Sequence, residues 1–105
     1  MKFIITESKL NDTVFKYLDN QDFIKFNNGI NTYFVNSEKD DYAQIRFSNV
    51  SNWCTIEMKL IKEVHSFFSL EYTDCISIIG SWVETKVGNE YTTIDVASDI
   101  IVRYF

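Results

Sequence analysis

The pattern of apolar and polar positions is clearest over residues 55–87, where it predicts two helices separated by a short break. At about 100° per residue, the apolar side chains of each segment fall on one arc and polar side chains fall opposite, as in amphipathic core helices. The first arc comprises Ile56, Leu60, Ile61, Val64, Phe67 and Phe68. The second arc comprises Tyr72, Cys75, Ile76, Ile79, Trp82 and Val83.

Capping residues indicate where these two helices begin and end. The break falls at residues 69–71, and Thr73 is a predicted N-cap, followed by Asp74 at the positive end of the helix dipole. Gly88 occupies the position where a left-handed residue commonly ends a helix. Two helices joined by so short a turn form either an αα-hairpin or a helix-turn-helix, and the pattern leaves both alternatives open.

The first half of the chain predicts a short strand, a helix and a three-stranded antiparallel meander. These segments are, in chain order, residues 2–5, 8–18, 23–26, 31–35 and 42–47. The Asn28-Gly29 pair between the first two meander strands is the strongest short hairpin signal in the chain. The third meander strand alternates apolar and polar side chains, which predicts one covered face and one polar or mixed face that includes Tyr42 and Arg46.

The residues after Gly88 predict a second hairpin, with strands at residues 91–96 and 100–105; a helix over the last dozen residues is the alternative. Five of the last six residues are apolar, and they would favour association if they lay at an exposed sheet edge. We therefore expect this segment to be buried in the sheet or in a partner. The candidate interaction residues are Ile100, Ile101, Val102, Tyr104 and Phe105.

Length and composition fit one α+β domain over residues 1–105. We expect a small antiparallel sheet, formed by the meander and the C-terminal hairpin, covered on one face by three helices. The chain of 105 residues has no proline and three glycines, so no linker rich in these residues divides it. Hydrophobic residues make up 46% and aromatic residues 16% of the chain, which excludes a disordered protein.

Charge and cysteine spacing narrow the classes of function. The formal net charge is −5, so the sequence lacks the basic character that phosphate recognition requires. Cys54 and Cys75 lie far apart and outside any CxxC spacing, which predicts two buried free thiols in a cytoplasmic protein; a disulfide between them is the alternative. We expect neither a signal peptide nor a membrane helix, because no apolar run approaches about 20 residues.

The sequence predicts no active site, metal site or cofactor site. His65 is the only histidine, and no serine or cysteine stands at a spacing that identifies a nucleophile beside it. Cys54, His65 and Cys75 do not match a zinc-binding spacing. Glu57 lies within the apolar arc of its predicted helix, where it is either a buried acid of a carboxylate-lined cleft or an ordinary partner of the helix dipole. We therefore expect no catalytic residues, no cofactor and no small-molecule ligand.

Several short stretches taken together resemble a known group of proteins. They are Ile4-Ile5-Thr6-Glu7, Trp53, Phe67-Phe68-Ser69-Leu70, Ile78-Ile79 and Trp82-Val83. This set resembles small uncharacterised proteins of marine bacteriophages and ocean metagenomes. The resemblance covers residues 1–87 and fades over residues 88–105. That group has no assigned activity, so the resemblance implies a phage origin and leaves the function open.

Two functions are the main candidates after these exclusions; a third is a small enzyme that uses a cleft lined by scattered carboxylates such as Glu57. The first is a non-enzymatic protein that binds a protein partner, or itself as a homodimer, through the apolar C-terminal segment. The alternative is a winged-helix-like nucleic-acid-binding protein, in which the second helix presents Ser77, Ser81 and Lys86 and the C-terminal hairpin forms the wing. Asp74 and Glu84 on the outward side of that helix argue against the alternative, because they would repel phosphate.

Overall fold

The computed structural model describes residues 7–36 and 41–103, with side chains from Lys9 onward. Over these residues the chain is an α+β fold of three helices and five strands. The helices are α1 (Glu7–Asp19), α2 (Met58–Phe68) and α3 (Tyr72–Val87). The strands are β1 (Ile24–Asn27), β2 (Asn31–Val35), β3 (Ile45–Ser48), β4 (Trp53–Glu57) and β5 (Thr93–Ala97). The predicted strand at residues 2–5, together with Tyr104 and Phe105, lies outside the described residues.

The five strands form one mixed sheet in the order β1-β2-β3-β4-β5. The pairings from β1 to β4 are antiparallel, so the predicted meander is confirmed in part and β4 extends it by one strand. Its third strand begins at Ile45 rather than at Tyr42. β5 runs parallel to β4, with Trp53 opposite Thr93 and Glu57 opposite Ala97. A parallel pair needs a long crossover connection, and α2 followed by α3 supplies it.

The predicted C-terminal hairpin, and with it the fully antiparallel sheet, is wrong. The first predicted strand of that hairpin exists as β5, but its partner is β4, which lies 40 residues earlier in the chain. After β5, Ile101 makes a single antiparallel bridge with Tyr42. The β-branched and aromatic residues of this region indicate extended chain, but such composition does not specify which strand will be the neighbour.

The first predicted helix begins too early, because β4 occupies its first three predicted residues. Four of the five residues of β4 are buried, and the helix α2 begins only at Met58. A strand buried on both faces loses the alternation that identifies strands in a sequence, so a short apolar run of this kind reads equally well as helix. The N-cap of α3 is Glu71 rather than Thr73, whereas Gly88 ends α3 in the left-handed conformation as predicted (φ 79°).

The main core lies between the helices and one face of the sheet. It unites α1 with α2, α3 and the three central strands in one buried cluster. Its central members are Val14, Leu18, Phe34, Ile45, Phe47, Cys54, Ile56, Leu60, Ile61, Val64, Ile79, Trp82 and Val83. Gly80 lets α3 pack closely against Tyr91 and Ile94, since a Cβ atom at this position would stand 2.6 Å from Cδ1 of Ile94 and 2.8 Å from Cε1 of Tyr91.

The opposite face of the sheet is partly covered by residues 98–103, which we call the C-terminal strap. The strap is held by its backbone: the Ala43 N–H donates to the Ile100 carbonyl oxygen (2.8 Å), and the Val102 N–H donates to the Asp41 carbonyl oxygen (2.9 Å). At its far end, Nδ2 of Asn28 donates to the Arg103 carbonyl oxygen at 2.6 Å. A second buried cluster lies beneath the strap and comprises Tyr33, Val35, Ala43, Ile100 and Val102.

Candidate functional site

The candidate interaction residues divide between the interior and the surface. Ile100 and Val102 are buried in the second cluster, within this chain. Ile101 lies between them and is 58% exposed, as the alternation of an extended chain requires. Tyr42, which stands opposite Ile101 in the bridge, is 41% exposed. The described part of the C-terminal segment therefore presents one large apolar side chain outward, with an aromatic ring across from it.

The residues predicted to bind nucleic acid in the alternative function, Ser77, Ser81 and Lys86, do not form a positively charged surface on α3. Ser77 is exposed, and the Ser81 hydroxyl donates back to the Ser77 carbonyl oxygen at 3.1 Å. Nζ of Lys86 forms an ion pair with Oδ1 of Asp19 at 2.9 Å and lies 5.5 Å from the centre of the Trp82 ring. The same carboxylate accepts from the Trp82 Nε1 at 3.0 Å, and the two donors lower the pKa of Asp19. Lys86 is thus engaged in attaching α1 to α3.

The arrangement of α2 and α3 also differs from a winged helix. They form the crossover between two parallel neighbouring strands, and α3 packs on the sheet and on α1. A wing would require the C-terminal hairpin, and the described residues contain no such hairpin.

His65 has a structural position at the corner between the helices. Its ring stacks on Tyr72, with ring centres 4.3 Å apart, and its Nδ1 contacts the Leu70 carbonyl oxygen. Across residues 7–36 and 41–103, no three His, Cys, Asp or Glu side chains come together in a group that could hold a metal ion. These contacts make His65 part of the packing between α2 and α3.

Both cysteines are free and buried, as the sequence predicts. Burial, and then the charges of Asp95 and Glu84, raise the pKa of Cys54 to about 12. Burial also raises the pKa of Cys75, with a further contribution from the charge of Asp74. Because the thiolate is the reactive form, these two side chains act as small apolar core residues.

Glu57 is the last residue of β4 rather than part of a helical arc, and it is buried. Burial raises its pKa, Lys59 opposes that shift, and the charges of Asp99 and Glu63 reinforce it. Glu57, Lys59 and Glu63 line a small cavity of about 170 Å³. The residue is also the N-cap of α2 but forms no side-chain capping hydrogen bond. It is therefore a buried acid, as one of the two sequence interpretations states.

A polar cleft that the sequence did not reveal lies on the same sheet face as the C-terminal strap. Its volume is about 340 Å³, and we call it the open-face cleft. Strand pairing places Arg46 opposite Thr55, and Thr55 opposite Asp95, so these three side chains form one row across β3, β4 and β5. The row continues to Tyr33, which pairs with Arg46 and lies beneath the strap. The remaining lining residues are Asn31, Ser48, Ser51 and Trp53.

The rim of the open-face cleft is tied down by hydrogen bonds between two turns. Asn49, in the turn between β3 and β4, donates from Nδ2 to Oδ1 of Asn27 (3.0 Å) and to the Gly29 carbonyl oxygen (3.3 Å). The Asn49 N–H donates to the Ile30 carbonyl oxygen at 2.8 Å. The Ser51 N–H donates to the Ser48 hydroxyl at 3.2 Å. These bonds hold the turn between β3 and β4, which contributes Ser51 to the cleft, against the hairpin between β1 and β2.

No protein-family model, curated protein or solved structure matches the chain. The resemblance to phage and metagenome proteins therefore stays a prediction. Among the described helices, none is both long enough and apolar enough to cross a membrane.

Sequence reasoning missed the open-face cleft because its residues come together only through the pairing of β4. The alternation of the third meander strand placed Arg46 on the polar face of the sheet, and the structure confirms that placement. The sequence pattern predicts a helix at Thr55 and a separate hairpin at Asp95. The signal that could have joined them is the polar residue at the centre of each of β3, β4 and β5, once the three strands are known to be neighbours.

Proposed function

We propose that this protein is a small non-enzymatic interaction protein that self-associates as a homodimer through the outward side of the C-terminal strap. The observation that carries the proposal is the exposure of Ile101. The residues before and after it, Ile100 and Val102, are held by backbone hydrogen bonds. An apolar side chain held in one place loses little conformational freedom when a second copy covers it. Homodimer interfaces are also more apolar than the remaining protein surface.

The apolar surface around the strap extends beyond Ile101. Tyr42 lies opposite it, and Ile24 at the sheet edge is 68% exposed. Ile24 pairs with Val35, which lies beneath the strap, so Ile24 faces the same side of the sheet. Single exposed apolar residues are ordinary on protein surfaces, but three on one side of one sheet form a surface that a symmetric partner can cover.

Sedimentation equilibrium of wild type and two variants tests this proposal. We expect a dimer that Ile101→Lys weakens and Val50→Lys leaves unchanged. Val50 is 80% exposed, but it lies in the turn between β3 and β4 and belongs neither to the strap nor to the bridge with Tyr42. Covering the exposed part of Ile101 is worth about 1–2 kcal/mol per copy. A two-fold interface counts the loss twice, so the dissociation constant should rise at least about 30-fold.

A monomer at protein concentrations up to roughly 1 mM would refute the proposal, since even a contact worth about 4 kcal/mol is populated there. A dimer that Ile101→Lys leaves intact would refute the assignment of the surface.

Nucleic-acid binding, the alternative function, has less support. The ion pair of Lys86 with Asp19 leaves Asp74 and Glu84 as charges near Ser77 and Ser81 on α3. Fluorescence anisotropy with a random-sequence duplex and a single strand at low salt tests it, because low salt maximises phosphate contacts. Salt-sensitive binding at micromolar protein would favour this function over the first.

A further inference from the structure

The open-face cleft brings a cation and an anion to the two sides of one buried hydroxyl. Arg46 on β3 and Asp95 on β5 flank Thr55 on β4 in a single row. Their Cα atoms are two strand spacings apart, about 10 Å. Nη2 of Arg46 leans inward and donates to the Thr55 hydroxyl at 3.3 Å. Arg46 and Asp95 therefore lie on either side of Thr55 along one row of the sheet.

One carboxylate oxygen of Asp95 is buried without a hydrogen-bond donor. Its Oδ1 is buried and has no hydrogen-bond partner, and no other buried side-chain oxygen or nitrogen in the described part of the chain shares this condition. Leaving a buried acceptor without a donor is costly, so such a group in a folded protein calls for an explanation. Asp95 also lines the open-face cleft, so a ligand that carries N–H groups would meet its carboxylate there.

Arg46 has donors to spare on the same side. A guanidinium has five N–H donors in a planar fork, and the bond to Thr55 uses one of them. Within the described residues Arg46 forms no ion pair, with Asp95 or with any other acid. The fork is suited to a carboxylate, which it binds through two parallel hydrogen bonds.

The mouth of the cleft adds an apolar wall. Trp53 lines it and is 45% exposed, so the indole is available to a side chain entering from solvent. Asn31, Ser48 and Ser51 also line the cleft and add neutral polar groups. The volume of about 340 Å³ falls within the range of small-molecule sites.

We propose that the open-face cleft binds a free α-amino acid with an apolar side chain. Its ammonium group would pair with the Asp95 carboxylate where that side chain lines the cleft, its carboxylate would accept from Arg46, and its side chain would pack on Trp53. The ammonium and carboxylate groups of the ligand are both bonded to Cα, so one ligand can present its positive charge to Asp95 and its negative charge to Arg46.

Other small ligands fit the cleft less well. A nucleotide phosphate would meet Arg46 but would also face Asp95, and no lysine lines the cleft. A nucleobase could stack on Trp53, but it is neutral and would leave both charges uncompensated. A peptide terminus carries only one of the two charges that the row can recognise.

Derivatives of one amino acid test the proposal on the unaltered protein. L-Phenylalanine is titrated into ¹⁵N-labelled protein, together with N-acetyl-L-phenylalanine, which lacks the ammonium group, and L-phenylalaninamide, which lacks the carboxylate. We expect L-phenylalanine to shift the indole N–H signal of Trp53 and to leave that of Trp82 in place, since Trp82 is buried and bonded to Asp19. Each derivative should bind at least tenfold more weakly.

Matched variants assign the two charges. Asp95→Asn and Arg46→Gln should each weaken L-phenylalanine binding at least tenfold, while Asp74→Asn on α3 and Arg103→Gln at the end of the strap should leave it unchanged. The proposal would be overturned if the Trp53 signal did not move at 10 mM L-phenylalanine. A dissociation constant weaker than roughly 10 mM would not amount to a ligand site. Equal binding of the N-acetyl derivative, or binding of guanosine without binding of L-phenylalanine, would also overturn it. These outcomes do not depend on whether the protein dimerises.

Discussion

Replacing Gly80 with alanine should reveal how closely α3 approaches β5. In an exposed helix interior this substitution stabilises by about 1 kcal/mol, because alanine has the higher helix propensity. At Gly80 the new methyl group would stand 2.6 Å from Cδ1 of Ile94 and 2.8 Å from Cε1 of Tyr91, closer than packed carbon atoms lie. Such overpacking costs about 1–3 kcal/mol. We therefore expect a net loss of about 1 kcal/mol of unfolding free energy.

The source of that loss can be separated by a double-mutant cycle with Ile94→Val. Valine lacks the Cδ1 atom that makes the shorter contact, whereas this substitution leaves the Tyr91 ring unchanged. In the Ile94→Val background only the contact with Tyr91 remains. About half of the overpacking cost, roughly 1 kcal/mol, is then offset by the higher helix propensity of alanine, so Gly80→Ala should be close to neutral. The coupling between the two positions should be about 1 kcal/mol, within the range measured for residues in contact.

Urea denaturation followed by tryptophan fluorescence measures all four proteins of the cycle. Ser77→Ala serves as the control on the same helix, since Ser77 is exposed and its replacement should raise the stability slightly through helix propensity alone. A stabilising effect of Gly80→Ala in the wild-type background would refute the close approach of α3. An effect of equal size in both backgrounds would show that Ile94 is not the obstacle.

Two further predictions concern buried titratable groups. Glu57→Gln should stabilise the protein at pH 7, because the raised pKa of Glu57 means that the folded state disfavours the charged carboxylate. The gain should disappear below the unfolded pKa of about 4.3, where Glu57 is protonated in both states; a gain independent of pH in urea titrations would contradict this cause. Cys54 and Cys75 should resist a thiol reagent at pH 8, since the pKa of Cys54 is about 12 and that of Cys75 is raised. Both thiols should react after unfolding, and rapid labelling of the native protein would contradict their burial.

The elements predicted correctly from the sequence are those whose signals are local. The hairpin between β1 and β2 forms where Asn28 and Gly29 indicate it: Gly29 adopts a positive φ of 96°, and Oδ1 of Asn28 accepts from the N–H groups of Ile30 and Asn31. The helices α1, α2 and α3 follow the periodicity of their apolar residues, and Gly88 ends α3. Each of these features depends on residues within a few positions of one another.

The elements that escaped prediction depend on distant partners. The central strand β4 shows no alternation because Cys54 and Ile56 face the helices while Thr55 and Glu57 are covered on the other side. The neighbour of β5 is fixed by how α2 and α3 pack, and no local pattern encodes that choice. The row of Arg46, Thr55 and Asp95 forms only if residues 53–57 are a strand and β5 is its neighbour. The candidate ligand site could therefore not be found before the sheet order was known.

The parallel pairing of β5 with β4 also implies an order of folding. The turn between β3 and β4 is four residues long, whereas the chain must pass through two helices before β5 can join β4. Closing the longer loop costs more entropy, and contacts between distant residues form more slowly. Until β5 arrives, β4 is the edge of a four-stranded sheet, with Cys54 and Ile56 beside unpaired backbone groups. Aggregation during refolding should therefore begin at β4, in the middle of the chain, rather than at the apolar C terminus.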